Sequence, residues 1–264
     1  MNRPLVRLAG PLAGLILAAA VGVGPVLATS AAAAGSVAAT PAGGVEDLHP
    51  ARCADAWLKA AANPSVETYK AVGVCEIDRR LATIERLGTA VDGARALTDA
   101  HQAALETILD DAATGLRALR AEIESDSSMP ELRKDINAIF TDYRIYVLVT
   151  RQVWLVVGAD AVGAAGAALE DTAADLASLI AQAQANGTDV TEAEAHLDAM
   201  NTAIDEALAG VAGVAERVLP LTPADWNDGS AGPVLRAAHA AIAASRADLR
   251  TAVAEARQVI AALA

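Results

Sequence analysis

The sequence predicts an all-α fold, an elongated antiparallel helical bundle with coiled-coil-like heptad packing. Three observations predict it. Apolar residues recur at alternating steps of four and three over most of the chain after Cys75, the spacing that lines one face of a helix. Ala dominates the composition, and Ala combines the best helix propensity with close helix approach. No segment alternates polar and apolar residues with the β-branched content and turns of a hairpin. With three Trp, three Tyr and one Phe, the core must be built mostly from Ala, Leu, Val and Ile.

The N-terminus predicts the compartment. Arg3 and Arg7 flank the start of an apolar stretch from Leu8 to Leu27, and small residues follow from Ala28 to Ala34. This is the three-part layout of a secretory signal peptide. An uncleaved membrane anchor is the rival reading; Gly22, Gly24 and Pro25, with the small residues after them, favour cleavage between Ala28 and Ala34. The expected division is a signal peptide (1–34), a flexible leader (35–45) and a single helical-bundle domain (46–264). The expected location is secreted or extracytoplasmic, in the cell envelope.

Removing residues 1–34 takes away two Arg and no acid, leaving 18 basic against 33 acidic residues and a formal charge of −15. Such a field repels nucleic acid and anionic headgroups. It suits a soluble exported protein, or one that meets cations or basic partners. Cys53 and Cys75 form an even pair in an exported chain and are expected to join two N-terminal helical pieces as a disulfide. A loop of that length is stabilised by roughly 3 kcal/mol. A catalytic or metal-binding thiol is the alternative, although neither cysteine sits in a CxxC or beside a ligand-spaced His.

The elements follow in order. Ile77, Leu81, Ile84, Gly88 and Val91 mark a first long helix, punctuated by Gly93. Thr98 is the expected N-cap of a second, with Leu105, Leu109, Ala112, Leu116, Leu119 and Ile123 as its seam. Ser128, Pro130 and Glu131 predict a capping box and a third start. The third helix is expected to run Leu132, Ile136, Ile139, Tyr143, Tyr146, Thr150, Val153, Val157. It is apolar on its other faces too, as expected of a centrally buried helix. Arg144, Arg151 and Asp160 interrupt the run, so no stretch reaches the roughly 18–20 residues of a membrane span and no stable insertion is expected after signal cleavage. The Gly- and Ala-rich stretch 158–168 is either a close-packing segment or a kink, centred on Gly158–Gly166.

Leu169, Ala173, Leu176, Ile180 and Ala183 resume the rhythm, and Asn186-Gly187 reads as a stop. Thr191 with Glu194 predicts a capping box for a helix carrying Ala193, Leu197, Met200, Ile204, Ala207, Val211 and Val214. Residues 220–233 read as the one long irregular connection. The last helix carries Leu235, Ala238, Ile242, Ser245, Leu249, Ala252, Ala256, Val259 and Leu263.

The segment Asp142-Tyr143-Arg144-Ile145-Tyr146-Val147-Leu148-Val149, with Val153-Trp154-Leu155-Val156 and Ala159-Asp160 after it, resembles uncharacterised exported helical proteins of actinobacteria that carry a D-Y-R-x-Y-V-L-V stretch. Ile77-Asp78-Arg79-Arg80-Leu81 and Leu221, Pro223, Asp225 and Trp226 extend the likeness over roughly residues 76–260. The cysteine-bearing piece departs from it. The resemblance implies helical fold and export, and no activity.

Catalytic patterns are sparse. There is no G-x-S-x-G, H-E-x-x-H, phosphate-binding loop or dinucleotide fingerprint. His49, His101, His196 and His239 are scattered among Ala and polar residues. Glu192, Glu194 and His196, or Asp110-Asp111, tempt a metal reading, but a solvated acidic face accounts for them; no metal, cofactor or catalytic residue is expected. Arg144 and Arg151, seven apart, should share one face of the third helix, ion-paired or snorkelling to the rim. Their functional alternative is a clamp for an anionic ligand or a partner's carboxylate. Tyr143, Tyr146 and Trp154 read as core, with an apolar ligand pocket as alternative. Two functions remain in order: a non-catalytic secreted or envelope interaction protein with a protein or cell-wall partner, and a carrier of a lipid or other hydrophobic ligand. An enzyme comes third.

Overall fold

A computed structural model describes residues 53–264. The expected signal peptide, the leader and the cleavage site lie outside the described residues. Those residues form an all-α bundle, without a strand among them. The helices are α1 (Ala54–Ala62), α2 (Val66–Asp92), α3 (Asp99–Ser125), α4 (Met129–Thr141), a π-helical segment (Ile145–Val149), α5 (Thr150–Ala185), α6 (Thr191–Val211), α7 (Val214–Val218), α8 (Pro223–Asn227) and α9 (Ala231–Ala262). Their contacts divide into two compact units. The first holds residues 53–157 and Gly213–Ala238; the second holds Gly158–Ala212 and His239–Ala264.

In the first unit α2 packs against α1, α3 and α4. Its start is a reciprocal cap: Ser65 accepts the Thr68 amide, and the Thr68 hydroxyl accepts the Ser65 amide. The expected disulfide is present, and Cys53–Cys75 joins α1 to α2 with Cα atoms 5.8 Å apart. Thr98 caps α3 as expected, accepting from the His101 amide. The seam of α3 buries Ala113 where the spacing pointed to Ala112. Ser128 caps α4 through the Glu131 amide, and its hydroxyl also donates to the Glu131 carboxylate at 2.7 Å.

The long third helix expected over 132–157 is broken. α4 ends at Thr141, Arg144 takes a left-handed conformation (φ 46°, ψ 35°), and the π-helical segment follows before α5 begins. A left-handed non-glycine residue costs about 1–2 kcal/mol, so something must hold it. Asn227 of α8 does: its Nδ2 donates to the Thr141 carbonyl at 3.0 Å, and its Oδ1 accepts from Arg144 Nε at 2.7 Å. A residue more than eighty positions away thereby fixes both sides of the break. Conversely, α5 passes through Gly158, Gly163 and Gly166 without interruption. The glycine-rich stretch is a close-packing segment. A methyl group on Gly166 would stand 2.5 Å from Leu208 Cδ2 of α6.

The second unit is built by α5 from Gly158 onward, α6, and α9 from His239 onward. Gly166 meets Leu208, Gly158 meets Ile242, and Gly210 meets Ser245, so the three helices pack pairwise. All of Leu235, Ala238, Ile242, Ser245, Leu249, Ala252, Ala256 and Val259 are buried along α9. The start of α6 departs from expectation. Val190 is its N-cap and Thr191 does not cap it; Asp189 accepts from the Thr191 amide at 3.1 Å and from its hydroxyl at 2.8 Å. Asp at that place takes over the role because its carboxylate reaches the free amide of Thr191 at the start of the helix. α6 stops at Val211, because Gly213 turns left-handed (φ 68°) and delivers Val214 to α7.

Residues 220–233, expected to be irregular, contain α8. Thr222 and Asp225 cap each other reciprocally there, with Pro223 in the first turn. One further expectation fails. A helical window within Met129–Ala185 does meet the length and apolarity of a membrane span, with 61% of it buried inside the protein. Its two or fewer charges are too sparse to break the window, and interior packing accounts for that apolarity.

Candidate functional site

The five residues singled out from the sequence all belong to the first unit, but they separate into an inner and an outer group. Tyr143 and Tyr146 face inward. The Tyr143 ring lies over Gly115 of α3, where a methyl group would come within 2.6 Å of it. Burial first, then the carboxylates of Asp142 and Glu122, push the Tyr143 hydroxyl above the usual phenol range. Tyr146 stacks against two guanidinium groups, Arg79 at 4.9 Å and Arg80 at 5.2 Å from its centroid. Its hydroxyl is buried with no hydrogen-bond partner.

Arg151 and Trp154 face outward, one turn apart on α5. Trp154 is 50% exposed, against the expectation that it belongs to the core. Arg151 is exposed, with its guanidinium 5.6 Å from the Trp226 ring of α8. Arg144 and Arg151 do not share a helical face. The left-handed break and the π-helical segment lie between them, and each takes a partner from α8: the Asn227 amide for one, the Trp226 indole for the other.

The inner tyrosines lead to a polar cluster that periodicity did not reveal. Glu76 and Arg80 are each 4% exposed, in the middle of α2. The Glu76 carboxylate accepts from Trp57 Nε1 at 3.1 Å, Arg79 Nη2 at 2.7 Å and Arg80 Nη1 at 2.6 Å. Arg80 also stacks on Phe140 at 4.5 Å. Burial works to raise the Glu76 pKa, but the bonds from Arg80 and Trp57 and the Arg79 and Arg80 charges outweigh it, leaving the carboxyl below its ordinary range. Burial likewise lowers the Arg80 pKa, opposed by Glu76. One carboxylate serves two guanidiniums, so removing it would strand both. The Trp57 bond ties α1 to α2 one residue from Cys75, and the aromatic walls shield the charges. This arrangement fixes geometry. The one sequence signal was Ile77-Asp78-Arg79-Arg80-Leu81, where two adjacent Arg interrupt a buried seam.

In the second unit, His196 bridges α6 and α9: its Nδ1 lies 2.7 Å from Glu255 Oε2, while Glu192 is 4.0 Å from Nε2. Asp110 and Asp111 are exposed on α3. Among the described residues, no group of three or more His, Cys, Asp or Glu is arranged to hold a metal. An open groove of about 340 Å³ lies between α5 and α6, lined by Glu170, Ala173, Ala177, Leu197, Ile204 and Asp205 among others. No family model matches the chain, and no curated protein or solved structure matches it.

Proposed function

We propose that this chain is an exported, non-catalytic helical protein that works by binding a protein or cell-wall partner in the envelope or outside the cell. The signal-peptide layout of residues 1–34, the disulfide and the likeness to exported actinobacterial proteins support export. The observation that carries the interaction reading is Trp154. α5 buries Val153, Leu155, Val156 and Val157 yet leaves this large aromatic half-exposed, one turn from the exposed Arg151. Trp and Arg are the residue types that most often dominate binding energy at interfaces, and a half-exposed Trp beside buried neighbours leaves apolar area in water that a partner would cover. The same burial around Trp154 supports interaction over carriage of a hydrophobic ligand, since those side chains occupy the interior a ligand would need.

The test is photo-crosslinking in the producing cells with a benzophenone side chain in place of Trp154, and in place of the exposed Thr107 as reference. A discrete adduct from position 154 alone is expected. Equal or no adducts from both positions would remove this surface. A turnover activity that co-purifies with the chain to homogeneity would remove the non-catalytic reading.

A further inference from the structure

The second unit distributes its charges unevenly between its helices. Gly158–Ala212 contains ten Asp and Glu and no Lys or Arg. The unit's three cations, Arg246, Arg250 and Arg257, all lie on α9. The α5–α6 side of the unit therefore carries acids with no Lys or Arg of its own, and it is there that the open groove lies. Ala173 and Ile204 are buried at its base, Ala177 is exposed along it, and Leu197 is half-buried. Glu170 and Asp205 are exposed, one on each helix, and flank that apolar base.

We propose that this groove docks a Lys- or Arg-bearing helical segment of a partner protein, its small apolar residues on the alanines and its cations on Glu170 and Asp205. The proposal rests on the interaction reading above but concerns a different surface. The chemistry selects the occupant. Alanines at the base let another backbone approach closely, as they do between the helices of the unit itself. Carboxylates flanking the base disfavour a neutral lipid tail and repel anionic polymers. A second copy of the chain is disfavoured by charge, since the described part of each second unit holds twelve acidic residues against three Arg and like fields oppose association.

The experiment measures binding of the intact chain to a labelled amphipathic peptide of Lys, Ala and Leu at near-physiological salt. A Lys–Gly peptide of equal charge serves as comparison. Ala177→Leu fills the groove from an exposed position, and the pair Glu170→Gln with Asp205→Asn removes its flanking charges. The amphipathic peptide should bind the native chain more tightly than the Lys–Gly peptide does, and in Ala177→Leu it should lose at least about tenfold in affinity and fall to the Lys–Gly level. The charge-neutral pair should weaken binding and flatten its salt dependence. Unchanged affinity in Ala177→Leu, or equal binding of both peptides to the native chain, overturns the proposal in favour of general charge attraction. A native dimer that Ala177→Leu converts to monomer by light scattering overturns it in favour of a second copy. If the groove fails while position 154 still cross-links one partner, only this proposal falls.

Discussion

The two units solve the same packing problem by opposite means. The first holds all seven aromatic residues of the chain, a disulfide, a buried Glu–Arg cluster and an amide that clamps a helix break. The second holds no aromatic residue and relies on glycines and alanines that bring three helices into close contact. Charge follows the same division: five acids in excess in the described part of the first unit, nine in the second. Directional bonds fix a structure at a few points whose loss is severe. Close packing of small residues spreads its stabilisation over many weak contacts, and it leaves the outer faces free to carry charge.

The contrast can be broken most forcefully at Glu76. Glu76→Ala removes the carboxylate from the buried Arg80 and the part-buried Arg79 and should cost about 3–5 kcal/mol, read by denaturant unfolding as loss of the first unit's transition. A pH series sharpens the point. The folded carboxyl titrates below its unfolded range, so the unfolded state takes up the proton first as the solution is acidified. The stability it contributes is present above the ordinary carboxylate range and is lost as pH falls through the lowered folded value. Glu76→Gln should show a shallower acid limb; an identical limb would mean that another group carries the acid sensitivity.

The disulfide comes next. Cys53→Ser with Cys75→Ser, or reduction of the native protein, should destabilise the first unit by roughly 3 kcal/mol. Hydrogen exchange in α6 should stay as it was, and acceleration there equal to that in α1 would abolish the distinction between the units. The smallest effect is expected at Gly166. Gly166→Ala raises helix propensity yet drives a methyl group toward Leu208, for a net loss of about 1–3 kcal/mol. A stabilised variant would show that the α5–α6 contact is looser than the packing implies.

How legible each unit was in its sequence follows from the same division. The seam of α9 could be read directly, because every inward position is an apolar or small residue at helical spacing and nothing distant overrides it. The pairing of Cys53 with Cys75 was likewise accessible from the even count and the expectation of export. The break at Arg144 was not. Its cause is Asn227, and spacing along 132–157 contains no trace of it. Trp154 was assigned inward for the same reason: an all-round apolar helix gives no local sign of which face is left in water. At the candidate site the five residues grouped from the sequence are divided by the structure, with Tyr143 and Tyr146 inside and Arg151 and Trp154 outside. Asp189 displaced Thr191 as the group at the start of α6 because capping depends on which side chain reaches the free amides, and several polar residues in a row compete for them.

The five residues Ile145–Val149 also act as a phase adjuster. Each position along an α-helix turns the chain by about 100°, so a wider turn accommodates an additional residue and offsets the azimuth of everything after it. Val153 and Trp154 follow it with opposite destinations, one inside and one in water. A single deletion within the segment would shift each later residue into the place before it, carrying Trp154 to the buried place of Val153 and Leu155 to the exposed place of Trp154. The angular bookkeeping of one irregular turn thus decides which side chain the surface displays.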